Sequence, residues 1–352
     1  MSRIYLDHAA TTPLRPEAAE AMRHGFEIWA NPSSPHREGR AARAALEEAR
    51  EHIKAMLGWE GELIFTSGAS EALAIGLGHA KAERRLVSAV EHDSVFRAAP
   101  DAEVLPVEDG TIDPEALTEA LARPGRAVVA LQSINSETGT VMIPHGGTPV
   151  LQQVRDAGGL FLADCSQSAG RVPLPDADMV VVSAHKLGGP VGIGALLVRD
   201  FGMLEPTGGQ ERGYRSGTEN LPAALGFAAA LDGCGVECWP TSYPERYDFK
   251  DMLEHDGEGE ALRLGPQCSH ILAMTHNRLS SEVLLIKLDA MGFAISAGSA
   301  CSSGTLKRSR ALEAFGVDED IASRTVRISM GWSTTLSELS AFCEAWHQVG
   351  KA

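Results

Sequence analysis

The chain has 352 residues, 44% of them hydrophobic, so it can bury a sizeable core, most simply as one large domain with a smaller companion. Lys and Arg total 31 against 47 Asp and Glu, a formal net charge of −16, and such a surface repels phosphate backbones and disfavours nucleic-acid binding. The start, MSRIYLDHAATTPL, has no charged region leading into an apolar run, and no apolar stretch reaches membrane-spanning length, so neither a signal peptide nor a membrane span is expected. The six cysteines show no regular framework, which suits reduced thiols in the cytoplasm.

Residues 1–15 read as an N-terminal segment packing with the smaller domain, and residues 16–231 as the large one. Within the latter, a helix over Arg40–Leu57 precedes strands at Leu63–Thr66 and Leu86–Val90. A helix at Pro114–Leu121, a strand at Ala127–Gln132 and a helix at Pro149–Ala157 follow, then strands at Leu160–Ala163, Met179–Val182 and Gly194–Val198. Continuously apolar strands alternating with helices predict an α/β fold whose mostly parallel sheet is covered by helices on both faces. In such sheets a ligand lies outside the carboxyl ends of the strands. Polar clusters stand at those ends: Ser67–Glu71, Glu91–Ser94, Asp164–Gln167 and Ser183–Lys186. Residues 232–268 are rich in Gly, Pro, Asp and Glu and predict loops and a connection. A strand at Ile271–Thr275, a helix at Ser281–Met291, a strand at Thr325–Ser329 and a helix at Leu336–Gln348 then make a small α+β domain over residues 232–352.

Ser183-Ala184-His185-Lys186 ends the apolar strand Met179–Val182. A lysine there sits in a partly dry pocket, where desolvation favours the neutral, nucleophilic amine. Ser183 and His185 can donate hydrogen bonds to a phosphate. Asp164 follows another strand, and a buried carboxylate paired with a pyridine nitrogen keeps that nitrogen protonated. Cys301 lies among small residues in Ser299–Gly304, a segment expected to form a mobile loop, and a nucleophilic thiol there must ionise. Each signal alone is weak. A strand-end Asp is more often a cap, such a lysine more often solvated, and a single cysteine more often a packed apolar residue. Cys165 reads as a packed small side chain. Cys234 and Cys238 lack the partners of a metal site, so none is expected, and no Rossmann or P-loop pattern appears.

Taken in order, further motifs change the odds. LDHAATTP at 6–13, NPSSPHREGRAAR at 31–43, IFTSGASEA at 64–72, EHDSV at 91–95 and NSETGT at 135–140 are followed by ADCSQSAG at 163–170, SAHKLGGPVGIGAL at 183–196, GGQERGYRSGTEN at 208–220 and SAGSACSSGT at 296–305. From Ile4 to about Thr335 the chain resembles the cysteine desulfurases of the class V aminotransferase group, fold-type I enzymes that use pyridoxal 5'-phosphate.

That resemblance implies a role for each matching residue. Lys186 matches the lysine that bonds the cofactor's aldehyde and later moves the α-proton. Asp164 matches the partner of the pyridine nitrogen, Gln167 a donor to the phenolic oxygen, and His92 the ring stacked on the cofactor, also an acid–base candidate. Ala69, Ser70, Ser183 and His185 match the phosphate site, and Thr218 a residue reaching the phosphate of a neighbouring subunit, which implies a homodimer. Asn31 and Arg327 match groups that hold the carboxylate of L-cysteine. Cys301 matches the nucleophile that takes the sulfur as a persulfide, leaving alanine, for transfer to a sulfur acceptor such as an iron–sulfur scaffold protein. Two other readings remain open: a selenocysteine lyase or related β-lyase, and a weakly active paralogue serving as an assembly subunit. The chain departs from the pattern at Ser136, a cofactor-site position where asparagine is common, at Val191 and Trp332, where basic residues are frequent, and in lacking a long C-terminal tail. His8 is open between lining the site and simple packing.

Overall fold

The computed structural model describes residues 3–233, 235–255, 257–297 and 309–351. Cys301 and its neighbours lie outside the described residues. The chain begins with β1 (Ile4–Tyr5), α1 (Pro16–Glu27) and α2 (Arg37–Met56), then enters β2 (Glu62–Thr66) and α3 (Ala69–Gly78). Next come β3 (Arg84–Ser88), α4 (Asp93–Ala98), β4 (Glu103–Leu105) and a small hairpin of β5 (Val107–Glu108) and β6 (Thr111–Ile112). They lead to α5 (Pro114–Leu121), β7 (Ala127–Gln132), α6 (Pro149–Asp156), β8 (Leu160–Asp164), β9 (Met179–Ser183), β10 (Gly194–Val198) and α7 (Leu221–Leu231). The rest comprises α8 (Tyr243–Glu254), β11 (Gly259–Ala261), β12 (Ile271–His276), α9 (Ser281–Ala290), β13 (Phe293–Ala294), β14 (Ser296–Ala297), α10 (Arg310–Ala314), α11 (Glu319–Ser323), β15 (Thr325–Ser329) and α12 (Leu336–Lys351).

Seven strands form the large sheet in the order β2-β10-β9-β8-β7-β3-β4. β10 runs antiparallel to β2 and β9, whereas β9, β8, β7, β3 and β4 pair in parallel. This is the mostly parallel sheet that the apolar runs predict. Alternate residues feed two cores: Val129, Phe161 and Val180 pack with Leu46, Ile53, Val154 and Phe227 on one face, and Val128, Leu162 and Val181 with Leu73, Leu77 and Val95 on the other. Parallel register then sets the carboxyl ends level, with Gln132 opposite Asp164 and Asp164 opposite Val181.

A second sheet, β11-β12-β15-β14, is antiparallel and packs with α8, α9 and α12 around Phe249, Met274, Ile328, Phe342 and Trp346. β1 pairs in parallel with β13, and Leu6 enters the same core. Residues 232–268 are more ordered than their composition predicts, because they hold α8 and β11. The helix was legible at its start: Ser242 accepts from Glu245 N while the Glu245 carboxylate accepts from Ser242 N, a capping box. Its buried face hides in a polar sequence because it includes Arg246 and Lys250 beside Phe249 and Leu253.

β2 is an edge strand, and a buried ion pair covers its open side. Arg50 and Glu211 meet through two bonds, Nη1 to Oε2 at 2.7 Å and Nη2 to Oε1 at 3.0 Å, with side chains 3% and 1% exposed. Arg50 Nη1 also donates to Leu63 O at 2.7 Å, and Phe65 N donates to Glu211 Oε2 at 2.8 Å. The pair thus supplies the partners that an eighth strand would provide. Glu211→Gln keeps the shape and leaves buried Arg50 with only the more exposed Glu47, Nε to Oε2 at 3.1 Å, as counter-ion; urea unfolding should show a loss of about 3 kcal/mol. Unchanged stability would mean that the charge pair does not hold this edge.

Candidate active site

A cavity of about 460 Å³ opens at the carboxyl ends of the central strands. Ala69 and Ser70 come from the first turn of α3, Ser183, His185 and Lys186 from the end of β9, and Asp164 and Gln167 from the end of β8. His92 and Ser136 close the remaining sides. Asn31 and Thr218 are exposed and do not line this cavity, nor does Arg327 on β15. His8 does not line it either; it is 1% exposed, beside Thr334 Oγ1 at 3.3 Å. Cys165 is wholly buried, and burial pushes its thiol up to about 12, so it is a packed side chain.

The Lys186 amine donates to the carbonyls of Ala9 and, at 2.9 Å, Ala10. Burial first, then the nearby charges of Arg327 and Arg171, bring it down to about 8. An amine in that state is a nucleophile in useful amounts near neutral pH. Its backbone is clamped as well: Thr12 Oγ1 donates to Lys186 O at 2.9 Å, and Arg171 donates both to Lys186 O and to Gln167 O. Gln167 Nε2 donates to Ala9 O at 2.9 Å, while Gln167 Oε1 is buried without a partner.

Asp164 is 7% exposed, and its Oδ1 accepts from Ser166 N at 2.9 Å and Ser166 Oγ at 2.6 Å. At the other end of the cavity Gly68 caps α3 with φ 149°, a conformation that L side chains rarely adopt, and open space lies where a Cβ would stand. Burial, then Lys186, brings His185 down to about 4, so its ring is neutral, with Nδ1 at 3.1 Å from Thr11 Oγ1.

His92 caps α4, with Nδ1 accepting from Ser94 N at 3.2 Å and lying 2.7 Å from Ser94 Oγ. Ser136 borders the cavity and gives its carbonyl to Arg327 Nη1 at 3.0 Å. The neighbouring Asn135 shapes this loop: its Oδ1 accepts from Glu137 N and Thr138 N, and its Nδ2 donates to Val90 O. Arg327 Nη2 meets Asp7 Oδ1 at 2.8 Å, and its Nε is buried without a partner.

These residues fit pyridoxal phosphate. The Lys186 amine, the Asp164 carboxylate and the hydroxyls and first-turn amides around Ser70 stand in one cavity, and the last of these suit a dianion. Gln132 and Ser166 also line the wall; the sequence sets Ser166 in a strand-end cluster without a role and passes over Gln132. Gln132 ends β7 as Asp164 ends β8, so the strand-end rule could have found it. Arg171 had no such signal, because its role lies in two carbonyls that only folding brings to it.

Sheet and cavity define a class: the fold-type I enzymes that depend on pyridoxal phosphate. The model of the aminotransferase class-V family matches residues 4–342. A cysteine desulfurase of Frankia sp. (strain EuIK1) is 37% identical over 96% of this chain and 88% of its own length. The cysteine desulfurase IscS of Dictyoglomus turgidum is 33% identical over 96% and 92%. Among solved structures, a NifS-like protein from Rickettsia africae superposes with a TM-score of 0.85 at 27% identity, covering 99% of this chain and all of that one. The structure described as SspA in complex with cysteine gives 0.77 at 28%, over 94% of this chain. The chain belongs to the class-V aminotransferase family, among its cysteine desulfurases.

Glu91, next to His92, is 1% exposed and accepts from Ser88 Oγ at 2.6 Å and Gln132 N at 2.8 Å. Burial raises its carboxyl from 4.5 to about 8. A raised folded value means tighter proton binding in the fold, so this stabilisation is complete below about 4.5 and lost as pH rises through about 8. Glu91→Gln keeps the acceptor and cannot ionise. Denaturation should find it similar to the parent near pH 5 and more stable at pH 9, by an amount on the order of 3 kcal/mol. Parallel stability curves would contradict a protonated Glu91.

Proposed function

We propose that this protein removes sulfur from L-cysteine, giving L-alanine and a persulfide on Cys301. The observation that carries the reading is the Lys186 amine, brought down to about 8 inside a cavity that it shares with Asp164. When bound, pyridoxal phosphate supplies an electron sink that loosens the bonds around the substrate's α-carbon. Lys186 would bond its aldehyde, Asp164 hold the pyridine nitrogen, Gln167 the phenolic oxygen and His92 stack on the ring. Ser70, Ser183, His185 and the amide of Ala69 would take the phosphate.

Lys186 Nζ, which donates to the carbonyls of Ala9 and Ala10, would take the proton from the substrate's α-carbon and return it there as alanine forms. The Cys301 thiolate attacks the substrate sulfur. A sulfur–sulfur bond forms as the carbon–sulfur bond breaks, the electron pair stays with carbon, and a proton completes the methyl group of alanine. Substrate and thiol together thus become alanine and a persulfide, with no outside oxidant or reductant. Arg327, with Asn31, would hold the substrate carboxylate; its grip on the Ser136 carbonyl and its unpartnered Nε support a place beside the cavity.

The working form would be a cytoplasmic homodimer, with the exposed Thr218 reaching the neighbouring subunit's phosphate site. The persulfide would pass to an acceptor protein, such as an iron–sulfur scaffold. No helix among the described residues is long and apolar enough to cross a membrane. No observation favours the selenocysteine lyase or the inactive-subunit reading.

Single-turnover incubation of the cofactor-loaded protein with L-cysteine, followed by peptide mapping, tests the proposal. One added sulfur on Cys301 with one alanine is expected. Lys186→Ala should lose turnover by at least about a thousandfold, and Cys301→Ser should bind cofactor yet form no persulfide. Full cysteine turnover by Cys301→Ser would sink the nucleophile assignment.

A further inference from the structure

We propose that Ser94 is a positioning residue that holds His92 as the tautomer protonated at Nε2, so that the ring serves the cavity as a hydrogen-bond donor and not as a base. This rests on the reading that His92 belongs to the active site.

The Ser94 amide is a donor with no alternative role. Ser94 N is the second amide of α4, and it points at His92 Nδ1 from 3.2 Å. A backbone N–H only donates, so at this longer distance it favours, without alone enforcing, a lone pair on Nδ1. Ser94 Oγ, at 2.7 Å, approaches the same nitrogen more closely. With Nδ1 occupied as an acceptor, the neutral ring carries its hydrogen on Nε2. Val95 N donates to His92 O at 2.9 Å, which ties the backbone of the cap to the same turn.

A base at Nε2 needs the opposite tautomer, and an imidazolium needs hydrogens on both nitrogens. Either state sets an Nδ1–H against Ser94 N–H. Burial also opposes the charge, and among the charged groups facing the ring Lys186 and Arg97 oppose it, whereas Asp164 and Asp93 favour it. The result is a midpoint below that of an ordinary histidine. Proton acceptance in the cavity therefore falls to the Lys186 amine. His92 supplies a fixed N–H, suited to an oxygen or a thiolate that gains charge during the reaction.

Long-range proton–nitrogen NMR on cofactor-loaded protein with labelled histidine reads the tautomer directly, with His92→Gln assigning the signal. A hydrogen on Nε2 and a bare Nδ1 are expected at pH 7. Ser94→Ala removes the closer donor and keeps the amide. Population should shift toward the Nδ1–H form, the titration midpoint should rise, and kcat should fall about tenfold with KM little changed. Ser94→Thr, which restores the hydroxyl, should recover both readouts. An Nδ1–H tautomer in the parent protein would overturn the proposal, as would Ser94→Ala with tautomer and kcat both unchanged. Full turnover by His92→Gln would instead overturn the active-site reading beneath it, whatever the tautomer.

Discussion

Burying the amine of Lys186 is the constraint around which the other parts are arranged. An amine taken from water needs acceptors, and the two it finds are the carbonyls of Ala9 and Ala10. Those residues belong to a segment whose earlier part is already a strand: Ile4 and Tyr5 pair with Phe293 and Ala294, and Asp7 bridges to Ser329. The lysine at the end of a large-sheet strand is thereby tied to the smaller sheet by a few residues of chain. Arg171 stiffens the same place from behind, bridging the carbonyls of Lys186 and Gln167. A cation there also keeps the amine from holding its proton too tightly. Structure and reactivity at this lysine have one cause.

The large sheet prepares that site through register. Strands that are parallel and buried on both faces end together, so the residues that follow them converge. Asp164 meets Ser183 and Lys186 for this reason, although it ends β8 and they lie at the end of β9. The antiparallel β10 does not disturb the arrangement, because it brings Gly194 opposite both Ser183 and Thr66 without needing a helical crossover. Beyond it, the outer side of β2 would be an open edge if Arg50 and Glu211 did not cover it. Glu211 belongs to the GGQERGYRSGTEN segment, so the ion pair also anchors the stretch that carries Thr218.

Polar side chains around the cavity are held by local devices that a sequence shows only in part. The Asp–Cys–Ser run is legible as a motif, yet that Ser166 engages one oxygen of Asp164 is a matter of turn geometry. EHDSV is equally legible, but a buried protonated Glu91 beside a histidine whose Nδ1 faces two donors appears only in three dimensions. At Ser136 the side chain is shorter by an amide than the asparagine common at this position in the family. In the structure its carbonyl is the group in use, and Asn135 next to it shapes the turn.

The sequence by itself determined the sheet, its helical cover and the place of the cavity at the strand ends. Uninterrupted apolar strands can be buried only between two layers, and polar clusters at their ends can face only the ligand side. It also marked Lys186, Asp164, Gln167, Ser183 and His185, because their order along the chain follows the strands that carry them. Helix α8 escaped composition since its buried face includes charged residues whose stems do the packing. Tertiary structure alone decided what depends on residues far apart in the chain. The acceptors of the lysine amine lie 177 and 176 residues away, the edge cover of β2 joins positions 161 apart, and Arg171 reaches a carbonyl 15 residues on. No local pattern encodes such pairings. They exist because a buried charge or amide must find a partner, and the partner is whichever group the fold brings within hydrogen-bonding distance.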